Sequence, residues 1–207
     1  MPIEDGVERG FVGKDALRAD ALQRYTIQVR DMFPDVAEAK EDSVRSTEDL
    51  SAALPIACTI DAQPDVPRTI TWKVGYTNIT AFTLAIAGVN AKGYPVTETF
   101  TEADGWSGET SNAFATLTGI TVSARTGTGA GDVMDVGCGS KLGLSNALQS
   151  ASSVFKVTRN KADYPAAGYT VDADFDTVDV SPGGAIVTDD DFCISYRRAL
   201  DSCDEIS

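Results

Sequence analysis

The chain has 207 residues, 43% hydrophobic and 23% charged, with 31 acidic against 17 basic side chains, a net charge of −14 and no histidine. That size and balance suit one soluble domain with a core, and so negative a field repels phosphate backbones and anionic membranes, so neither nucleic acid nor membrane is an expected partner. The absence of histidine excludes Ser-His-Asp and Cys-His nucleophile arrangements and the commonest zinc ligand.

Read from the N-terminus, MPIEDGVERGFVGKD lacks the basic and apolar regions of a signal peptide. No run approaches the roughly 18 apolar residues of a membrane span. Asp15 to Gln23 places Leu17, Ala21 and Leu22 at helical spacing behind an Asp15 cap, which predicts a short helix. YTIQVRDMF then alternates Tyr25, Ile27 and Val29 against Thr26, Gln28 and Arg30 and reads as a strand closed by Pro34. DVAEAKEDSVRSTEDL is mostly polar. Residues 1–51 hold too few apolar side chains for a core of their own, so they are expected to form an N-terminal arm that orders against another surface. The arm's apolar residues Tyr25, Ile27, Val29 and Phe33 are the expected contacts.

From about residue 52 the period changes to two. IACTID, TITWKV, FTLAIAG, TETFT, ITVSA, DVMDVG, SVFKVTR, GYTVDA, DTVDVS and FCISYR are strand candidates. Turn signals separate them: Asn90 to Gly93, Asp104-Gly105, Gly127 to Gly131, and Pro182 to Gly184. Consecutive strands lack intervening helical patterns, so the sheet is antiparallel and the class is all-β, a sandwich or barrel, over residues 52–198, with a tail at 199–207. Only Lys141 to Ala151 could coil. Trp72 falls in a strand and is expected in the core; Glu98 shares a side with Val96 and Phe100, which predicts one wet face for that strand.

GTGAGDVMDVGCGSKLGL, Gly127 to Leu144, invites a phosphate-loop reading, but Lys141 precedes Leu142 rather than Ser or Thr, and Asp132 stands where a dinucleotide fingerprint needs its third glycine. The run is read instead as a glycine turn, the DVMDVG strand, and a second turn into KLGL. Cys58, Cys138, Cys193 and Cys203 are scattered, without a CxxC pair, and read as free thiols. Asp172, Asp174 and Asp176, with Asp189 to Asp191, form acidic clusters without the EF-hand pattern. They are expected as a solvated rim, with a loose calcium site at Asp172, Asp174 and Asp176 as the alternative; no other cofactor is expected. Trp106, in the loop ADGWSGET, is the exposed aromatic candidate for a sugar-stacking platform.

Gly88 to Thr101, Phe114 to Ser123, Asp132 to Leu144 and Asp189 to Arg197, in that order, resemble a pattern recurring in structural proteins of tailed bacteriophages. The resemblance covers about half the chain and implies an Ig-like β-sandwich serving as a virion component: a capsid decoration or cement protein, or a neck or tail part. It supplies no catalytic residues. It implies assembly in the host cytoplasm, the major capsid protein or other virion proteins as partners, and homo-oligomers in the particle. A carbohydrate-binding or adhesive Ig-like module using Trp106 is the other reading.

Overall fold

The computed structural model of the protein describes residues 26–75, 77–102 and 106–199. The expected helix at Asp15 to Gln23, Tyr25, the Asp104-Gly105 turn and the tail from residue 200 lie outside them. The described residues form fourteen strands and three short 3-10 turns: β1 (Thr26–Val36), β2 (Lys40–Asp49), β3 (Ile56–Cys58), β4 (Arg68–Val74), β5 (Ile79–Asn90), β6 (Pro95–Glu102), β7 (Ser107–Glu109), β8 (Phe114–Gly127), β9 (Val133–Gly143), β10 (Val154–Arg159), β11 (Ala162–Tyr164), β12 (Thr170–Asp172), β13 (Thr177–Asp179) and β14 (Asp190–Ala199). Every pairing among them is antiparallel, as the strand spacing predicts. The chain is an all-β sandwich.

Two cores organise it. In the first, β2, β9 and β4 face β3, β8, β5 and β6. The two halves belong to one ten-stranded sheet, yet β4 and β8 meet at a single pair, Arg68 opposite Phe114, so the sheet folds over into two layers. Trp72 on β4 fills the space between them, its ring 5.4 Å from that of Phe82 on β5 and 5.6 Å from that of Phe100 on β6. The alternation of β5 is the clearest cause: Phe82, Leu84 and Ile86 are buried while Thr83, Ala85 and Ala87 look outward. In the second core the four-stranded sheet β1-β14-β10-β11 covers the far end of β9 together with β12 and β13, burying Phe33, Leu142, Val178, Phe192, Ile194 and Tyr196.

Residues 26–50 are therefore strands of this sandwich. β1 pairs with β14 from Thr26 opposite Ala199 to Phe33 opposite Phe192, and its Phe33 and Val36 enter the second core. β2 lies along Val133–Cys138 of β9 and sends Val44 into the first. The boundary expected at residue 51 does not separate independent folding units. A segment too poor in apolar residues for its own core can complete one that others build. β2 escapes a period-two reading because its register on β9 shifts twice, which breaks the alternation.

β9 also differs from the expected strand-then-turn. It runs without a second turn from Val133 through Gly143, and its glycines serve close approach. A Cβ on Gly137 would stand 1.7 Å from the Lys40 carbonyl oxygen where β2 crosses, and one on Gly139 would stand 2.3 Å from Glu109 Oε1. The KLGLSNALQSA segment is strand and loop, with a 3-10 turn only at Ala151–Ser153.

Where β9 passes from one core to the other, its register against β4 shifts: Arg68 is opposite Leu142, and Ile70 opposite Cys138. Arg68 is fully buried. Its Nε and Nη2 donate to the Gly139 carbonyl at 2.8 and 2.5 Å, and Nη1 donates to the Ala37 carbonyl at 3.0 Å and to Asp65 Oδ1 at 3.1 Å. Asp65 Oδ2 in turn accepts the Ala37 N–H at 2.7 Å. Replacing Arg68 with Met is expected to cost about 1–3 kcal/mol, because it leaves the buried Gly139 carbonyl without its donors, whereas Asp65 and Ala37, at the exposed end, can turn to water. Urea unfolding measures it, and a loss under about 1 kcal/mol would contradict this role.

The second core has its own buried ion pair. Arg159 on β10 donates to Asp190 from Nε at 3.0 Å and from Nη2 at 2.5 Å, and Asn160 Nδ2 and the Val187 N–H complete the carboxylate's shell. Burial alone would raise the Asp190 carboxyl; the bonds from Arg159, Val187 and Asn160 together outweigh it and hold it below the ordinary value. A depressed folded-state value contributes stability that is present above the unfolded value, about 3.9, and is lost as pH falls through the folded one. Thermal midpoints should therefore fall on acidification below about pH 4, and Asp190→Asn should flatten that part of the profile while lowering the midpoint at neutral pH.

Candidate functional site

The glycine run is structural. Gly127 (φ 103°) and Gly129 (φ 68°) adopt left-handed backbone, and a Cβ on Gly127 would lie 1.9 Å from the Asn78 carbonyl oxygen. Asp132 is buried and accepts the N–H groups of Thr77 at 2.6 Å and Asn78 at 2.8 Å, so its charge tethers the loop before β5. Lys141 pairs with Glu109 at 2.8 Å. Glu98 turns inward beside Val96 and Phe100 and accepts the N–H groups of Ser111 and Asn112 at 2.9 and 2.6 Å, fixing the chain's approach to β8.

Asp172, Asp174 and Asp176 do not converge. Asp172 Oδ1 accepts the N–H groups of Asp174 at 3.0 Å and Phe175 at 3.3 Å, closing a turn. Asp176 is buried on the opposite side of that turn, with φ 54°, bonded to the Leu148 N–H at 2.5 Å and to Lys92 Nζ. Among the described residues no three acidic or cysteine side chains are grouped as metal ligands would be. A groove of about 440 Å³ beside the turn is lined by Lys141, Thr170, Asp172, Asp174 and Asp179. The acidic clusters thus divide: Asp176 and Asp190 are buried structural groups, whereas Asp172, Asp174 and Asp189 are the solvated rim.

The contact residues expected in the arm also divide. Tyr25 is outside the described residues, and Ile27 contributes backbone opposite Arg198. Phe33 is buried in the second core and Val29 packs against it, so neither side chain faces a partner. Trp106 is half-buried: its ring lies 6.0 Å from that of Phe82, and its carbonyl accepts the Val74 N–H at 2.7 Å. It closes the rim of the first core rather than standing as an open platform. Cys58 and Cys138 are buried free thiols, and burial pushes Cys58 up to about 12, leaving it inert at neutral pH.

Two sheet faces are left uncovered by the described residues. On the outside of β8, β5 and β6, Thr97 is opposite Ala87, Thr99 opposite Ala85 and Thr101 opposite Thr83; across β5, Ala85 is opposite Thr121 and Ala87 opposite Gly119. This face has threonine, alanine and glycine where a chain of this charge would ordinarily place Asp, Glu, Lys or Arg. On the outside of the four-stranded sheet, Arg30 and Met32 of β1 stand beside Ser195 and Cys193 of β14, with Lys156 of β10 on the far side of Ser195. Alternation in YTIQVRDMF marks the inward set; the outward set, Arg30 and Met32, is its complement.

No family model, curated protein or solved structure matches this chain. Asp176→Ala is expected to cost about 2–4 kcal/mol, since it strands the Leu148 N–H and Lys92 in a largely buried site, and millimolar calcium is expected to leave the wild-type melting temperature unchanged. A calcium-dependent rise of several degrees that Asp172→Asn and Asp174→Asn abolish would restore the metal reading.

Proposed function

We propose that the protein is a non-enzymatic virion structural protein of a tailed bacteriophage, a capsid decoration or cement protein that seats on the head surface through a sheet face. The resemblance of four ordered segments to phage structural proteins supports the viral assignment. The observation that carries the mode of action is the uncharged outer face of β8, β5 and β6. Depletion of charge marks the centre of protein interfaces, because a charge buried there without a partner costs several kcal/mol. Short Thr and Ala side chains lose little rotamer freedom when covered and let another surface come close. Attachment of this kind asks for a rigid face and no chemistry, and the two-core sandwich supplies rigidity. Carbohydrate binding has less in its favour, since the Trp106 ring is engaged with Phe82.

Co-sedimentation with heads assembled from the major capsid protein of a tailed phage that encodes this chain tests the reading. The wild type should sediment with the heads, and Ala85→Glu with Thr99→Glu should reduce bound protein about tenfold or more at unchanged melting temperature. Wild-type protein that stays with the unbound fraction would overturn the assignment; equal binding of the variant would remove this face from it.

A further inference from the structure

Seven arginines lie among the described residues, and five are engaged. Arg45 holds Glu48 and Asp61, Arg68 holds Gly139 and Asp65, Arg125 holds the carbonyls of Leu50, Ser51 and Ala52, Arg159 holds Asp190, and Arg198 holds Asn146. Arg30 and Arg197 have no carboxylate or carbonyl partner among the described residues, and both are exposed on the outer face of the four-stranded sheet. Arg30 is opposite Ser195 and Arg197 opposite Gln28, which makes the two residues diagonal neighbours across β1 and β14. Lys156 adds a third cation across Ser195, and among the described residues the carboxylate paired there is Asp163, 2.7 Å from Lys156. Like charges placed this way repel until an anion meets them. Beside them lie Met32, 72% exposed, and Phe155, 44% exposed under the Arg197 guanidinium at 5.7 Å. Arginine, methionine and aromatic residues around an unneutralised charge are the composition of an interface core.

The complementary surface is on the same chain. The turn between β12 and β13 displays Asp172 and Asp174 with Phe175, 40% exposed, between two fixed points. Asp172 caps the turn from one side, and buried Asp176 anchors it from the other. Its shape is set before any partner arrives, which lowers the ordering cost of contact. β12 and β13 cover the second core on the side away from the four-stranded sheet, so about 10 Å of packed side chains separates this turn from the cationic face. Within one chain the two cannot meet.

We propose that copies of this protein associate head to tail, the Asp172–Asp174–Phe175 turn of one docking on the Arg30–Met32–Arg197 face of the next. Carboxylates meet Arg30 and Arg197, which have no carboxylate partner among the described residues, and Phe175 covers Met32 and Phe155. The contact is heterologous, so it closes into a ring or continues as a chain according to the rotation between copies. It makes no use of the uncharged face, and it holds whether or not the protein belongs to a virion.

Sedimentation of the full chain tests it. The wild type should self-associate at low ionic strength and dissociate as salt is added. Arg30→Glu with Arg197→Glu, and separately Asp174→Lys, which leaves the Asp172 cap in place, should each weaken association about tenfold or more, and an equimolar mixture of the two variants should associate again because the reversed charges match. Unchanged melting temperatures and β-sheet spectra accompany these substitutions at exposed positions; should a reversal destabilise the chain, Arg30→Gln with Arg197→Gln must show the same weakening. A monomeric wild type, association indifferent to both variants, or a mixture that stays monomeric would overturn the proposal.

Discussion

One buried cation holds the two halves of this molecule together. Arg68 sits at the single described pair joining β4 to β8, opposite the residue of β9 that enters the second core, and its guanidinium reaches the Gly139 carbonyl and the segment linking β1 to β2. The irregularity of β9 beside β4 draws Gly139 out of the regular ladder, and a buried carbonyl left without a donor is costly. Arg68 meets that need with a planar fork of donors, which a lysine's point charge would match poorly. Asp65 balances the charge and also fixes Ala37, so the crossing from the four-stranded sheet to β2 is set by the same group. Both cores depend on where that crossing falls.

Because β9 serves both cores, the layers leave different surfaces uncovered. The first core turns out a face of Thr, Ala and Gly, and the second a face where Arg30 and Arg197, without a carboxylate partner among the described residues, lie beside Met32 and Phe155. A net charge of −14 keeps copies of the chain apart over most of their surface. The two places where that repulsion is absent or reversed are therefore where contact is least costly. The neutral face suits a broad, close seat on another protein, whereas the cationic face suits a localised contact with carboxylates. The two modes are compatible, since they use different regions of the chain.

Strand identity is legible in the sequence wherever one side of a strand is apolar, as in FTLAIAG, TITWKV and FCISYR. It is not legible in β2, where bulges move successive residues from one face to the other, nor in β7 and β11, three residues each and too short for any period. The glycines of GCGSKLGL read as turn formers because positive φ and close backbone approach leave the same mark in a sequence; only the neighbouring strand distinguishes them. Asp176 and Asp190 read as surface charge because an acidic run carries no sign of which carboxylate will find a buried donor. Lys92 and Arg159, their partners, come from strands or turns far off in the chain.

Local pattern in the chain is enough for the class of the protein: alternation with a period of two and frequent turn residues leave an antiparallel all-β fold as the one way to bury those side chains. Composition is enough, through the absence of histidine, to rule out the catalytic arrangements that need an imidazole. The number of cores, the place of residues 26–50 within them, and the face of each strand that stays uncovered are settled only in three dimensions. Those outcomes rest on long-range pairings such as Arg68 with Gly139 and β1 with β14, and a local pattern cannot contain them, because the partner's position in space is not a property of the segment itself.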